Sequence, residues 1–345
     1  VLVAGDIFDT NNPSASSEDV VYETLLGFAN AGAQVAMVAG NHAQPERLEA
    51  VRPLLKLANI HTGARLRRPE DGGCIEVGVR GDETARIALL PWPTRSRIVS
   101  ADDLMSQDAA DNQLQYWERC SRILSSLCGG FDKSSVNLVL AHLVITGAVM
   151  GGGERSSETT EDYWVPPNVL EVGAQYVALG HIHKPQDLRL MWPAWYCGSP
   201  LQLDFGEEKD TKSVNIFEAT PGLPVSGVRQ IELHSGRRMR TIAGTLEQLR
   251  ARAAADELGD AYLRVFVKEP ARAGLADEVR ELLPNAVEVK IEAQNPDAAP
   301  SLAREGLRPR ELLAAYFEQA KMRDENVLDL FDELLEEEQH ATPPA

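Results

Sequence analysis

The stretch that most constrains this chain is Tyr176-Val-Ala-Leu-Gly-His-Ile-His183. Val177–Leu179 reads as a buried strand. Gly180 lets the chain turn sharply at its end, having no Cβ in the way. Near-extended backbone through Ile182 sets His181 and His183 on one side. Two imidazoles so placed can grip one metal ion, or one each of a metal pair. By itself the pattern also fits two solvent-facing loop histidines, so the reading depends on what other strand ends supply.

They supply a matching set. Val1–Ala4 is a short strand running into Gly5-Asp6-Ile7-Phe8-Asp9. The spacing predicts a helix to about Ala31, capped by Ser17 or Asp19, with Val20, Val21, Leu25 and Phe28 inward. Gln34–Ala39 is a second strand, closed by Gly40-Asn41-His42, and Glu46–Ala58 a second helix. Cys74–Val79 and Ala85–Leu90 read as paired strands, Leu104–Leu127 as a long helix, and Val136–Ala141 as a buried strand ending in His142. Strand and helix alternate, which argues for a layered α/β core. Loops at the strands' carboxyl ends build the site in such sheets. Asp6, Asn41 with His42, His142, and His181 with His183 then meet as hard and borderline ligands. A set of Asp, Asn and His without thiolate suits Mn²⁺, Fe²⁺ or Zn²⁺. Two such ions about 3.5–4 Å apart activate water for phosphoryl displacement.

Later the texture changes. Strands at Trp195–Pro200, Ser213–Phe217 and Val228–Leu233 precede helix Leu246–Ala255, strand Tyr262–Val267, helix Leu275–Leu283 and strand Val287–Glu292. Gln294–Pro300 is a polar linker. Leu312, Leu313, Tyr316 and Phe317 stripe one closing helix, and Leu328, Phe331, Leu334 and Leu335 another. These stripes either pack on their own domain or dock a partner.

Composition narrows the partners. The formal net charge is −18, which argues against a protein that grips nucleic acid alone but not against one whose metals or basic partner meet the phosphates. The four cysteines form no CxxC pair, which fits a reducing cytoplasm. No apolar stretch reaches a membrane span.

The order Gly-Asp, Gly-Asn-His, His, Gly-His-Ile-His resembles the calcineurin-like metallophosphoesterases. Gly5–Asp9, Ala39–His42, Ala178–His183 and Tyr196-Cys-Gly-Ser-Pro200, continued by Asp204-Phe-Gly-Glu207 and Lys212, look like the SbcD branch, the bacterial relatives of the Mre-type nucleases. The resemblance implies a layered α/β β-sandwich flanked by helices (1–235), a small α+β capping domain that steers DNA (236–295), and a linker with a C-terminal helix pair that docks an SbcC-type coiled-coil ATPase (296–345). It implies two divalent ions, Mn²⁺ by expectation, and a homodimer within a heterotetramer, cytoplasmic and nucleoid-associated, that cuts DNA ends and hairpins. Asp6 would bridge the ions. Asn41, His142 and His181 would hold the second and His183 the first. His42 would be the proton donor, with Asp9 supporting its loop and Lys184 touching a phosphate or remaining solvated. The family's Asp-x-His is expected upstream of Val1. Ala43 stands where the family has an acidic residue that would orient His42. Rival readings are a metallophosphoesterase acting on small phosphodiesters or phosphoproteins, and a non-catalytic scaffold for the ATPase.

Overall fold

The two faces of each buried strand pack against different neighbours, and this alternation stacks the molecule in layers. The computed structural model describes residues 1–79, 81–94, 98, 115–154, 163–255 and 257–292, together with 313, 317, 327, 328, 330 and 331. In chain order it begins β1 (Leu2–Val3), α1 (Ala15–Asn30), β2 (Val35–Val38), α2 (Pro45–Leu57) and β3 (Ile60–Gly63). There follow β4 (Cys74–Gly78), β5 (Thr84–Leu90), α3 (Tyr116–Leu127), β6 (Val136–His142), β7 (Val144–Ile145), β8 (Trp164–Val165), β9 (Tyr176–Gly180), β10 (Gln186–Asp187) and β11 (Ala194–Tyr196).

β1, β2 and β3 make a parallel sheet, and β10-β11-β9-β6-β5-β4 a mixed six-stranded one. Ala36 and Val38 of β2 share a core with Ile87 and Leu89 of β5 and with Leu138 and Leu140 of β6. The sheets therefore face each other as a sandwich. The alternate residues Val35 and Met37 turn outward to Leu25 of α1 and to Leu48 and Leu55 of α2. On the far side Ala88, Leu90, Val139, Ala141, Val177 and Leu179 pack against Ile123, Leu124 and Leu127 of α3. Helix, sheet, sheet and helix are thus layered by the period-two alternation of strands buried on both faces.

Local chemistry sets the element ends. Ser14 caps α1 by accepting the Ser17 N–H. Pro45 begins α2 at a position where its missing N–H costs nothing. A Gln115–Glu118 capping box starts α3. The α1 expectation needs two corrections. Its cap is Ser14, not Ser17 or Asp19, and Val20 and Phe28 are exposed while Leu25 is buried. Of the long helix expected from Leu104, Tyr116–Leu127 is seen, and 104–114 lies outside the described residues.

The chain continues through the antiparallel pair β12 (Ser213–Ile216) and β13 (Arg229–Glu232). Next come β14 (Met239–Gly244), α4 (Leu246–Ala254), β15 (Tyr262–Val267), α5 (Leu275–Leu282) and β16 (Ala286–Ile291). The last three strands are all parallel, each joined to the next through a helix, as parallel neighbours require. Ile242, Leu249, Leu263, Val265, Leu275 and Val279 give this segment its own core. The Met239 N–H donates to Gln202 and the Thr241 N–H to Glu208. β3 and β14 were not anticipated from the sequence; Ile60–Gly63 has only four residues and a histidine.

Contacts divide the chain into two units. Residues 1–267 with 272–291 form one, and 268–271 with 292–345 the other. In the second unit Leu313, Phe317, Leu328 and Phe331 are helical and half-buried. Leu312, Tyr316, Leu334 and Leu335 lie outside the described residues. Among the described residues no helix is long and apolar enough to cross a membrane.

Candidate metal centre

The site lies where β1, β2, β6 and β9 end. β6 and β9 are parallel neighbours with His142 paired to Gly180, so both chains leave the sheet at one edge. The ring of the fully buried Tyr196 anchors the exit from β6. Its hydroxyl donates to Leu143 O at 2.7 Å and accepts from the Ile145 N–H at 3.0 Å.

Four expected ligands meet here. A carboxylate oxygen of Asp6 and ring nitrogens of His142 and His181 all lie within 4.8 Å of one another. The amide oxygen of Asn41 sits between the imidazoles, 2.9 Å from His142 Nε2 and 3.0 Å from His181 Nδ1. Asp6 Oδ2 is 3.1 Å from His142 Nε2. His142 donates its Nδ1–H to Ala4 O at 2.6 Å, because a carbonyl only accepts. In the neutral ring Nε2 then carries a lone pair aimed at two oxygens that also offer lone pairs. Such an arrangement calls for a positive centre among them, a proton or a metal ion.

The electrostatics favour ligation. Burial first, then the neighbouring His142, holds the His181 pKa down to about 3, so this ring is neutral near pH 7 and free to ligate. Its Nε2 is buried without a hydrogen-bond partner. Burial pushes the Asp6 carboxyl up. His142 and the His42 N–H outweigh that and leave it well below the ordinary carboxylate range. Asp6 is therefore an anion at neutral pH. Mixed oxygen and nitrogen donors without sulfur fit a divalent ion of the Mn²⁺, Fe²⁺ or Zn²⁺ kind.

Backbone strain marks the same place. Asp6 has φ 48° and His181 φ 98°, and non-glycine residues rarely take positive φ without compensation. This corrects the reading of Gly180. The left-handed residue is His181, whereas Gly180 is the strand's last residue, where a Cβ would collide with Ala4 O. Gly180 is required for close approach rather than for the turn.

With the chain bent at His181, the two histidines of the motif part company. His183 lies outside the three-residue cluster of potential ligands. Its Nδ1 meets Glu207 Oε1 at 2.9 Å, and its backbone N–H donates to Glu154 Oε1 at 2.8 Å. Burial lowers the His183 pKa, but the Glu207 hydrogen bond and charge prevail and raise it.

His42 stands beside the cluster. Its backbone N–H donates to Asp6 Oδ1 at 3.1 Å, and its Nδ1 meets Asp9 O at 2.9 Å. The Asp9 carboxylate is 3.6 Å away and exposed. Asp9 thus orients His42 through its backbone carbonyl, a task for which the sequence offers no acceptor at Ala43. Ala43 is buried in the core under α2. Lys184 forms a long contact, 3.8 Å, with Asp210.

Three neighbours were missed as site residues. Trp92 lies parallel to His181, centroids 4.9 Å apart at 10°, and meets the His142 ring at 5.9 Å edge-on. Glu154 and Glu207 hold His183. Trp92 follows β5 with the periodicity of an ordinary core residue, and the two glutamates are distant in sequence. The Asp204–Glu207 pattern and Lys212 were the available signal, read as resemblance without a role.

Comparison with known proteins gives the family. A family model described as calcineurin-like phosphoesterase matches residues 1–185. The chain is 34% identical over 228 residues to the SbcD subunit of the SbcCD nuclease of Bacillus subtilis (strain 168), covering 64% of this chain and 56% of that protein. It is 28% identical over 235 residues to the same-named protein of Rhodobacter capsulatus, covering 64% and 57%. It is 23% identical over 262 residues to that of Escherichia coli (strain K12), covering 73% and 62%. The chain thus spans less than two thirds of the length of these relatives.

Proposed function

Because this chain belongs to the calcineurin-like phosphoesterases, we propose that it is the nuclease subunit of an SbcCD-type complex. It hydrolyses phosphodiester bonds at DNA ends and hairpins, as a 3′→5′ exonuclease and single-strand endonuclease, in DNA recombination, replication and repair. The observation that carries the reading is the convergence of Asp6, Asn41, His142 and His181, whose lone pairs face one another around a point that a cation would fill.

Asp6, Asn41, His142 and His181 would hold one ion, and Asp6 and His183 would take part in holding a second. Two Mn²⁺ ions, when bound, supply a water that ionises near neutral pH and charge neutralisation for the phosphoryl oxygens. The remaining work belongs to the protein. His42, oriented through Nδ1 by the Asp9 carbonyl, presents its other ring nitrogen to protonate the leaving oxygen. Asn41, whose amide oxygen lies against both imidazoles, would also bind a phosphate oxygen.

The segment around β14–β16 is assigned to DNA steering, and the closing helices to docking of an SbcC-type coiled-coil ATPase, within a cytoplasmic, nucleoid-associated heterotetramer containing a homodimer of this chain. With a net charge of −18, the protein needs metals and a partner to offset repulsion from DNA.

The test is cleavage of a hairpin oligonucleotide with Mn²⁺, beside hydrolysis of an aryl phosphodiester and an EDTA control. Chelator-sensitive hairpin cleavage that outpaces aryl ester hydrolysis is expected. Fast ester hydrolysis with intact hairpin would redirect the assignment to small phosphodiesters.

A further inference from the structure

Behind His183 lies a buried polar network that the proposed chemistry does not use. Glu207 and Lys212 are essentially inaccessible to solvent, and Ser199 nearly so. Glu207 divides its two oxygens. Oε1 faces His183 Nδ1 at 2.9 Å. Oε2 accepts from Lys212 Nζ at 2.8 Å and from the Leu203 N–H at 3.1 Å. Lys212 also donates to His183 O at 3.0 Å and to Ser199 Oγ at 2.9 Å. The Ser199 N–H donates to His183 O at 3.1 Å. Backbone and ring of His183 are therefore gripped together. The Gly151–Gly153 loop closes over the pair, and a Cβ on Gly153 would lie 2.7 Å from both Glu207 Oε1 and His183 Nδ1.

A buried Glu–Lys pair is costly to desolvate and is poor evidence for stability as such. Its geometry does have a consequence for the imidazole. A carboxylate ion-paired with lysine only accepts hydrogen bonds. The proton on His183 must then reside on Nδ1, which leaves the Nε2 lone pair as the ring's only donor to a metal. A histidine held through one nitrogen by a carboxylate is fixed in tautomer and orientation.

We propose that Glu207, locked in place by Lys212, is the positioning residue that sets the His183 tautomer and so makes His183 competent to ligate. The inference rests on the metal-dependent phosphoesterase reading for its purpose, but not for its test. Glu207→Gln keeps the shape and reverses the hydrogen-bond logic. Lys212 and the Leu203 N–H both donate toward the Oε2 position, so the amide oxygen belongs there. The amide NH₂ then faces His183 Nδ1, forcing Nδ1 to accept and Nε2 to carry the proton.

The experiment is a long-range ¹H–¹⁵N imidazole spectrum of the whole metal-free chain, at a pH where the ring is neutral, with His183 assigned by His183→Asn. The wild type is expected to show the Nδ1–H tautomer and Glu207→Gln the Nε2–H tautomer. Mn²⁺ affinity by calorimetry should fall about 10–100-fold in the variant. If the single variant does not fold, Glu207→Gln/Lys212→Met removes the unbalanced charge and keeps the same expectation, since the Leu203 N–H remains. An Nε2–H tautomer in the wild type, or an unchanged Nδ1–H tautomer in either folded variant, overturns the inference. A wild type that binds no divalent ion contradicts the proposed function instead, and leaves the tautomer result standing.

Discussion

At the scale of single residues, each side chain around the site has a distinct and separable job. Asp6 is the anion that three elements lean on, so Asp6→Ala should abolish measurable Mn²⁺ binding by calorimetry while leaving the two-sheet core intact by circular dichroism. His42 hydrogen-bonds the cluster through its backbone N–H, which leaves its ring to the Asp9 carbonyl. His42→Ala should therefore retain metal binding and slow cleavage about 10²–10⁴-fold, the usual worth of a proton donor. A large fall in bound metal would contradict that role. Trp92 supports His181 by stacking and is itself buried. Trp92→Ala should lower stability by about 3–5 kcal/mol, as large-to-small core changes do, read from urea unfolding.

Elements carry a different kind of consequence. β9 must come close to β1 for His181 to reach Asp6, and Gly180 is where that approach is tightest. Gly180→Ala should cost about 1–3 kcal/mol through overpacking, with metal affinity falling as β9 shifts. The turn between α3 and β6 is held by Asp132, which accepts from the Ser134 hydroxyl and N–H and pairs with Arg86. Those contacts, the Ser134 hydroxyl first, lower its pKa from 3.8 to about 2. A carboxyl depressed on folding adds stability above its unfolded pKa and loses it as pH falls through the folded value. The difference in urea midpoint between wild type and Asp132→Asn should therefore be constant well above pH 3.8, shrink below it, and be lost as pH falls through about 2.

For the whole molecule, ligation couples to stability by mass action. Four donors from strand ends scattered between residues 6 and 181 cannot assemble in an unfolded chain, so a bound ion counts almost entirely toward folding. At free Mn²⁺ 100 times its dissociation constant the gain is about 2.7 kcal/mol. A rise in melting temperature on adding Mn²⁺, reversed by EDTA and absent in Asp6→Ala, is expected. A rise that persists in Asp6→Ala would place the ion elsewhere.

Much of this was legible from residue order. The alternating apolar strands named the layers, and a polar residue just past each apolar run named Asp6, Asn41, His142 and His181 as neighbours, because parallel strands deliver their ends to one edge. β3 and β14 escaped, β3 for its four residues and β14 for its mixed polarity, so their pairing came from neighbours rather than from pattern. Ser14 displaced the expected cap of α1 because capping depends on backbone geometry around several competing hydroxyls. The order of residues determined which chemistry was available, since donor type and strand-end placement are local properties. Only the tertiary structure decided how it is shared out. The bend at His181 separates it from His183, Asp9 reaches His42 through a main-chain carbonyl, and Glu207 and Lys212 close behind His183. Each of these is a contact across the fold, set by packing distances and by which lone pair faces which proton.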